Sequence, residues 1–148
     1  VILINLKQNL AAPPTEIINV LLDHERLNRF FNAQFLLLKP QNCGQISGGK
    51  GAVRQVRTSG YTFTEQVISA SDNHICYQIV GNKPVAAHQG DIYLTVIEKQ
   101  AFISTELTYS IQCISPWWMP SFILKFFIKN DIKNALTKLE RYFKECTT

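Results

Sequence analysis

The sequence predicts an α+β fold: an antiparallel sheet of about six to seven strands, two short helices after the first strand, and one long C-terminal helix. Three observations carry this. Five consecutive segments rich in β-branched and aromatic residues, separated by turn signals, run from Ala52 to Cys113. From Ser121 to Lys144 the residues Ile128, Ile132, Ala135, Leu136, Leu139, Tyr142 and Phe143 recur at three- and four-residue spacing with lysines between them, the period of an amphipathic helix. Near the start, Ala11-Ala12-Pro13-Pro14-Thr15 breaks a short strand and opens a helix.

Each element has its own signature. Leu3 to Leu10 is β-compatible. Past the prolines, Thr15 is placed to cap, Glu16 complements the helix dipole, and Ile17, Ile18, Val20, Leu21 and Leu22 form an apolar face. Leu27, Phe30 and Phe31 suit a second short helix beginning at Asp23 or His24. Phe35-Leu36-Leu37-Leu38-Lys39 reads as a buried strand closed by Pro40, and Gly44 to Gly51 as a loop. The five strands that follow are Ala52–Thr58, Tyr61–Ala70, His74–Gly81, Val85–Ile97 and Phe102–Cys113. Their turns are Ser59-Gly60, Ser71-Asp72-Asn73, Asn82-Lys83-Pro84 and Glu98-Lys99-Gln100. Pro116 and Pro120 bracket the loop before the last helix. No repeat or linker divides residues 1–148, so a single domain is expected.

Strand parity tells which side chains share a face. With Ser59-Gly60 as a two-residue hairpin loop, Arg54 stands directly opposite Glu65. They share a face with Val56, Thr58, Tyr61, Phe63 and Val67, while the opposite face is mostly polar. The same alternation turns Ile75, Tyr77 and Ile79 inward, then Ile92, Leu94 and Val96 together with His88, then Ile103, Thr105, Leu107, Tyr109, Ile111 and Cys113. Such an interior holds Arg54, Glu65, Tyr77, Tyr109 and His88, which a closed apolar core would not choose. A buried polar group without a partner costs about 1–3 kcal/mol. Either these groups satisfy one another in a dry core, or they line a pocket; sparse polar groups on an apolar concave wall favour the pocket.

Composition removes several classes. Hydrophobic residues at 46% and charged residues at 18% exclude a disordered chain. No apolar run approaches the roughly eighteen residues of a membrane span, and Val1 to Leu6 lacks the basic start of a signal peptide, so a soluble cytoplasmic protein is the expectation. A net charge of +4, from 15 basic and 11 acidic residues, is too small to argue for nucleic acid. Cys43, Cys76, Cys113 and Cys146 form no CxxC, and the three histidines show no metal spacing; reduced thiols, no metal and no cofactor are expected. His24 and His74 are expected at the surface. Gly44 to Gly51 nearly matches a phosphate-binding loop. It ends on Gly51 instead of a hydroxyl residue and leads into a strand, so a mobile loop near a cavity mouth is the better reading.

Several motifs taken together resemble a known family. They are Ala12-Pro13-Pro14-Thr15-Glu16-Ile17-Ile18 with Leu22-Asp23, Gly49-Lys50-Gly51-Ala52-Val53-Arg54, and Thr64-Glu65-Gln66-Val67. Tyr77-Gln78-Ile79-Val80-Gly81, Pro84, Gly90-Asp91-Ile92-Tyr93-Leu94 and the terminal helix complete the set. The chain resembles the helix-grip fold of the START-like (SRPBCC) superfamily, and within it the polyketide cyclase/dehydrase family. The resemblance implies a curved sheet wrapped around the C-terminal helix, with an apolar cavity between them. Thr105-Glu106-Leu107 departs from it, where relatives often carry an aromatic residue. Fold alone does not choose among carriers, sensors and cyclising enzymes.

The expected ligand-binding residues are Arg54, Val56, Phe63, Glu65, Tyr77, Ile79, His88, Leu94, Leu107, Tyr109, Trp118, Phe126 and Phe127. Arg54 and Glu65 read either as a structural ion pair or as a guanidinium fork set to hold a ligand oxygen. Trp117 to Lys129, aromatic and flanked by lysines, reads either as a helix buried on both sides or as a gate that touches an anionic membrane surface. Three functions follow in order of support. The first is carriage or sensing of a hydrophobic small molecule such as a lipid, quinone or polyketide-like compound. The second is polyketide aromatase/cyclase or dehydratase chemistry, with Arg54 steadying an enolate and Tyr77, Tyr109 or His88 moving protons. The third is a groove for a partner helix. No catalytic residue is assignable, and a non-enzyme is the stronger expectation.

Overall fold

The computed structural model describes residues 1–58, 60–81, 86–99 and 102–146, the last residue of each of the two final segments by its backbone only. The turns expected at Ser59, at Asn82-Lys83-Pro84 and at Gln100, and the strand start at Val85, lie outside these residues. In chain order the elements are β1 (Ile2–Leu10), α1 (Pro14–Leu21), a 3-10 segment (His24–Arg29), β2 (Gln34–Lys39), β3 (Val53–Thr58), β4 (Tyr61–Ala70), β5 (His74–Val80), β6 (Ala86–Lys99), β7 (Phe102–Ile114) and α2 (Ser121–Cys146). The strands form one curved antiparallel sheet in the order β1-β7-β6-β5-β4-β3-β2. Among the described residues, no helix is long and apolar enough to cross a membrane.

The chain crosses from β1 to the far edge through α1 and the 3-10 segment, then returns by neighbouring strands until β7 lies beside β1. The concave face is closed by α2, whose Ile132, Ala135, Leu136, Leu139 and Phe143 are buried. That stripe is the one its sequence period marks. Parity holds across the sheet: Arg54 pairs with Glu65, Ile75 pairs with Ile92, and Leu94 pairs with Leu107.

The differences from expectation have local causes. Thr15 does not cap α1. Pro13 is the capping residue and Pro14 the first helical one; the Pro13 carbonyl accepts from Glu16 and Ile17 N–H. On β2, Leu36 lies opposite Gln55 on the outer sheet face, away from the face of Phe35 and Leu37, so Leu36 and Leu38 are half exposed instead of buried. Val96 and Ile103 are also exposed, because β6 and β7 run on past His74 and Leu10, where β5 and β1 stop pairing. The loop before β3 is tied down. Gly48 N–H donates to Gln41, the Gly49 N–H to Ile46, and both glycines are buried. It packs behind Arg54 and does not border the cavity mouth.

Candidate ligand-binding site

Between the concave face of the sheet, the N-terminal half of α2 and the 116–119 loop lies a cavity of about 290 Å3. Its sheet wall carries Val56, Phe63 and Ile79, its helix wall Leu124, Ile128 and Ile132, and Phe31 and Phe35 close one side. Trp118 and Met119 stand at its rim. The polar groups come from Arg54, Glu65, Tyr77, Tyr109, His88 and Asp131, with Asn32, Thr58 and Tyr61 also on the lining.

Arg54 is held on three sides. Its Nε and Nη2 lie 2.9 and 2.7 Å from Glu65 Oε1, and its Nη1 is 3.0 Å from His24 Nδ1. The guanidinium also lies 5.1 Å from the Phe35 ring centre and 5.3 Å from that of Tyr77. A guanidinium only donates, so His24 Nδ1 accepts, and the proton sits on Nε2, which donates to the Gly48 carbonyl at 2.8 Å. Burial, helped by the Arg54 charge, pushes His24 from 6.5 down to about 4, so the ring is neutral. Burial, the largest single influence, works against the charge of Arg54, but Glu65 together with Tyr77 and Tyr109 holds the guanidinium above its ordinary value.

The Tyr77 and Tyr109 hydroxyls are hydrogen-bonded to each other. Burial, first of all, raises both above the ordinary tyrosine value, so both stay protonated. Tyr77 needs the missing side chain of Gly90 across the strand pair: a Cβ there would lie 2.3 Å from its ring. Two residues back from Gly90 along β6, the same alternation points His88 into the cavity, beside a bulge where Ala87 has φ 48°. His88 Nδ1 accepts the Ile79 N–H at 3.3 Å, the tautomer of a neutral ring. Asp131 faces the cavity from α2, and burial raises its carboxyl.

Of the residues expected to bind ligand, Arg54, Val56, Phe63, Glu65, Tyr77, Ile79, His88, Tyr109 and Trp118 border this cavity. Four do not. Leu94 and Leu107 face each other in the packed core further along β6 and β7. Phe126 and Phe127 fall off the helix face set by Leu124 and Ile128 and stand in solvent, 66% and 58% exposed. The segment from Trp117 to Lys129 is therefore not a helix buried on both sides.

His24 is the largest omission of the sequence reading. Expected outside, it is 3% exposed and is the second partner of Arg54. Its other partner, Gly48, is 24 residues away, so no local pattern marks it. His74, also expected outside, is half-buried on the outer sheet face, 2.8 Å from Asp91. Asp131 was not expected at the site either, although its position three residues after Ile128 on the same helix face is a signal that marks it. Cys43, Cys76 and Cys113 are free thiols.

No family model matches this chain, and no curated protein matches it. Solved structures do. The chain is similar to a START superfamily protein from Mycobacterium smegmatis, with a TM-score of 0.72 at 13% identity over 97% of this chain and 98% of that one. It is also similar to XoxI from Bacillus cereus, with a TM-score of 0.71 at 14% identity over 100% and 99%. The Aha1 dimer from Colwellia psychrerythraea gives 0.69 at 15% identity over 97% and 96%. The fold is the START-like helix-grip fold.

Proposed function

We propose that this domain carries or senses a hydrophobic small molecule (a lipid, a quinone or a polyketide-like compound) held in the cavity between sheet and α2. The observation that supports this reading is the cavity itself: largely apolar walls around about 290 Å3, with a few polar groups converging about Arg54. Native mass spectrometry after mild extraction tests it. A co-purified small molecule is the expected result, lost in an Ile79→Trp variant that fills the space. Wild-type protein that stays empty and binds no apolar probe overturns the reading.

The hydroxyl pair of Tyr77 and Tyr109 beside Arg54 favours a second reading, an aromatase/cyclase or dehydratase. Their raised pKa values make them hydrogen-bond donors, not bases, and that ranks carriage first.

Cargo would be exchanged at an anionic membrane surface. Trp117, Phe122 and Phe126 are 96%, 76% and 66% exposed, beside Lys125, Lys129 and Lys133, which have no ion pair among the described residues. Apolar rings with adjacent lysines suit an anionic interface. Vesicles containing phosphatidylglycerol should sediment the protein, and phosphatidylcholine vesicles much less. Trp117→Ser with Phe126→Ser, neither of which lines the cavity, should abolish the difference. Sedimentation unchanged in that variant removes the docking surface.

A further inference from the structure

We infer that the cavity selects neutral, oxygen-bearing guests and rejects anions of the same length. This rests on the cavity reading above and deepens it. The argument is a count of charges and donors. Among the described residues, the charged groups on the wall are Arg54, Glu65 and Asp131. Arg54 is already neutralised by Glu65 at 2.7 Å, and His24 and His88 each accept a hydrogen bond at Nδ1 as neutral rings. A carboxylate entering this space would bring a second anion to a spent cation, with Asp131 on the helix wall adding a third. It would also give up its water. An unpaired charge taken out of water is strongly disfavoured.

The same count shows what is welcome. The two hydroxyls of Tyr77 and Tyr109 have two O–H donors between them, and their mutual bond uses one. One O–H is left over in an apolar wall, and Arg54 commits only part of its five N–H groups to Glu65 and His24. The polar end therefore offers donors without net charge. A ketone, quinone, ester or alcohol oxygen satisfies them; a hydrocarbon leaves them empty, and a carboxylate overpays in charge. A cavity of about 290 Å3 has room for roughly ten water-sized groups, which makes ten-carbon guests suitable probes.

Isothermal titration at pH 7.5 with decan-2-one, decan-1-ol and decanoate compares three guests with ten-carbon chains. The ketone and alcohol should bind at least tenfold tighter than decanoate. Glu65→Gln keeps a partner for Arg54 but frees its charge, and should bring decanoate level with the ketone or past it. Asp131→Asn, which is not a partner of Arg54, should raise decanoate affinity several-fold relative to that of the ketone. Wild-type protein binding decanoate as tightly as the ketone overturns the selection rule while leaving the hydrophobic-guest reading intact. Failure of all three to bind overturns that reading, and the inference with it.

Discussion

Arg54 and Glu65 bind each other in a nearly dry setting, with side chains only 11% and 9% exposed. Arg54→Ala would therefore leave a buried carboxylate with no counter-charge, and a loss of about 3–5 kcal/mol is expected from urea unfolding. The double variant Arg54→Met, Glu65→Leu removes both charges and should recover most of that loss. The pair is structural and faces the cavity at once, so the single variant cannot separate the two roles. His24 adds a pH signature. Its native value near 4 lies below the unfolded 6.5, so the unfolded chain binds the extra proton between them. Its contribution is whole above pH 6.5 and drains as pH falls toward 4, about 2 kcal/mol between pH 7 and pH 5. His24→Gln should flatten the stability profile over that interval; a profile as steep as wild type would show that another group is responsible. Gly90→Ala should displace the Tyr77 ring and break the pair with Tyr109, seen as a lost tyrosine hydroxyl resonance.

At the scale of elements, α2 has two unlike ends. Its C-terminal half buries Leu136, Leu139 and Phe143 against the sheet, while its N-terminal half lines the cavity on one side and shows aromatic rings to solvent on the other. Leu139→Ala should cost about 2–5 kcal/mol in chemical denaturation, whereas Phe126→Ser should change stability by about 0.5 kcal/mol or less. Equal effects would mean the helix is rotated from the orientation described. β2 shows why apolar composition alone misleads. Phe35 to Lys39 reads as buried, yet Leu36 and Leu38 fall on the outer sheet face and meet water, and among the described residues β2 is the edge of the sheet. Sequence records what a strand is made of; its rank in the sheet depends on the path of the whole chain.

For the molecule as a whole, the sheet faces were legible because alternation has a period of two and needs no long-range knowledge. The opposition of Arg54 and Glu65 followed from one hairpin turn, and the core stripe of α2 from its helical period. What parity cannot say is where along a strand packing ends and empty space begins. Leu94 and Leu107 lie on the same inward face as Tyr109, but only Tyr109 meets the cavity. Contacts made by separate loops were hidden for the same reason: His24 reaches Gly48 and Arg54 only after β2 and β3 are laid down.

The adjacent indoles of Trp117 and Trp118, the only two tryptophans of the chain, stand in opposite settings, one almost wholly in water and the other on the cavity rim. The protein thus has a built-in optical gauge. With Trp117→Phe, all remaining indole emission comes from the rim. Its colour and its accessibility to acrylamide then report occupancy without any attached dye.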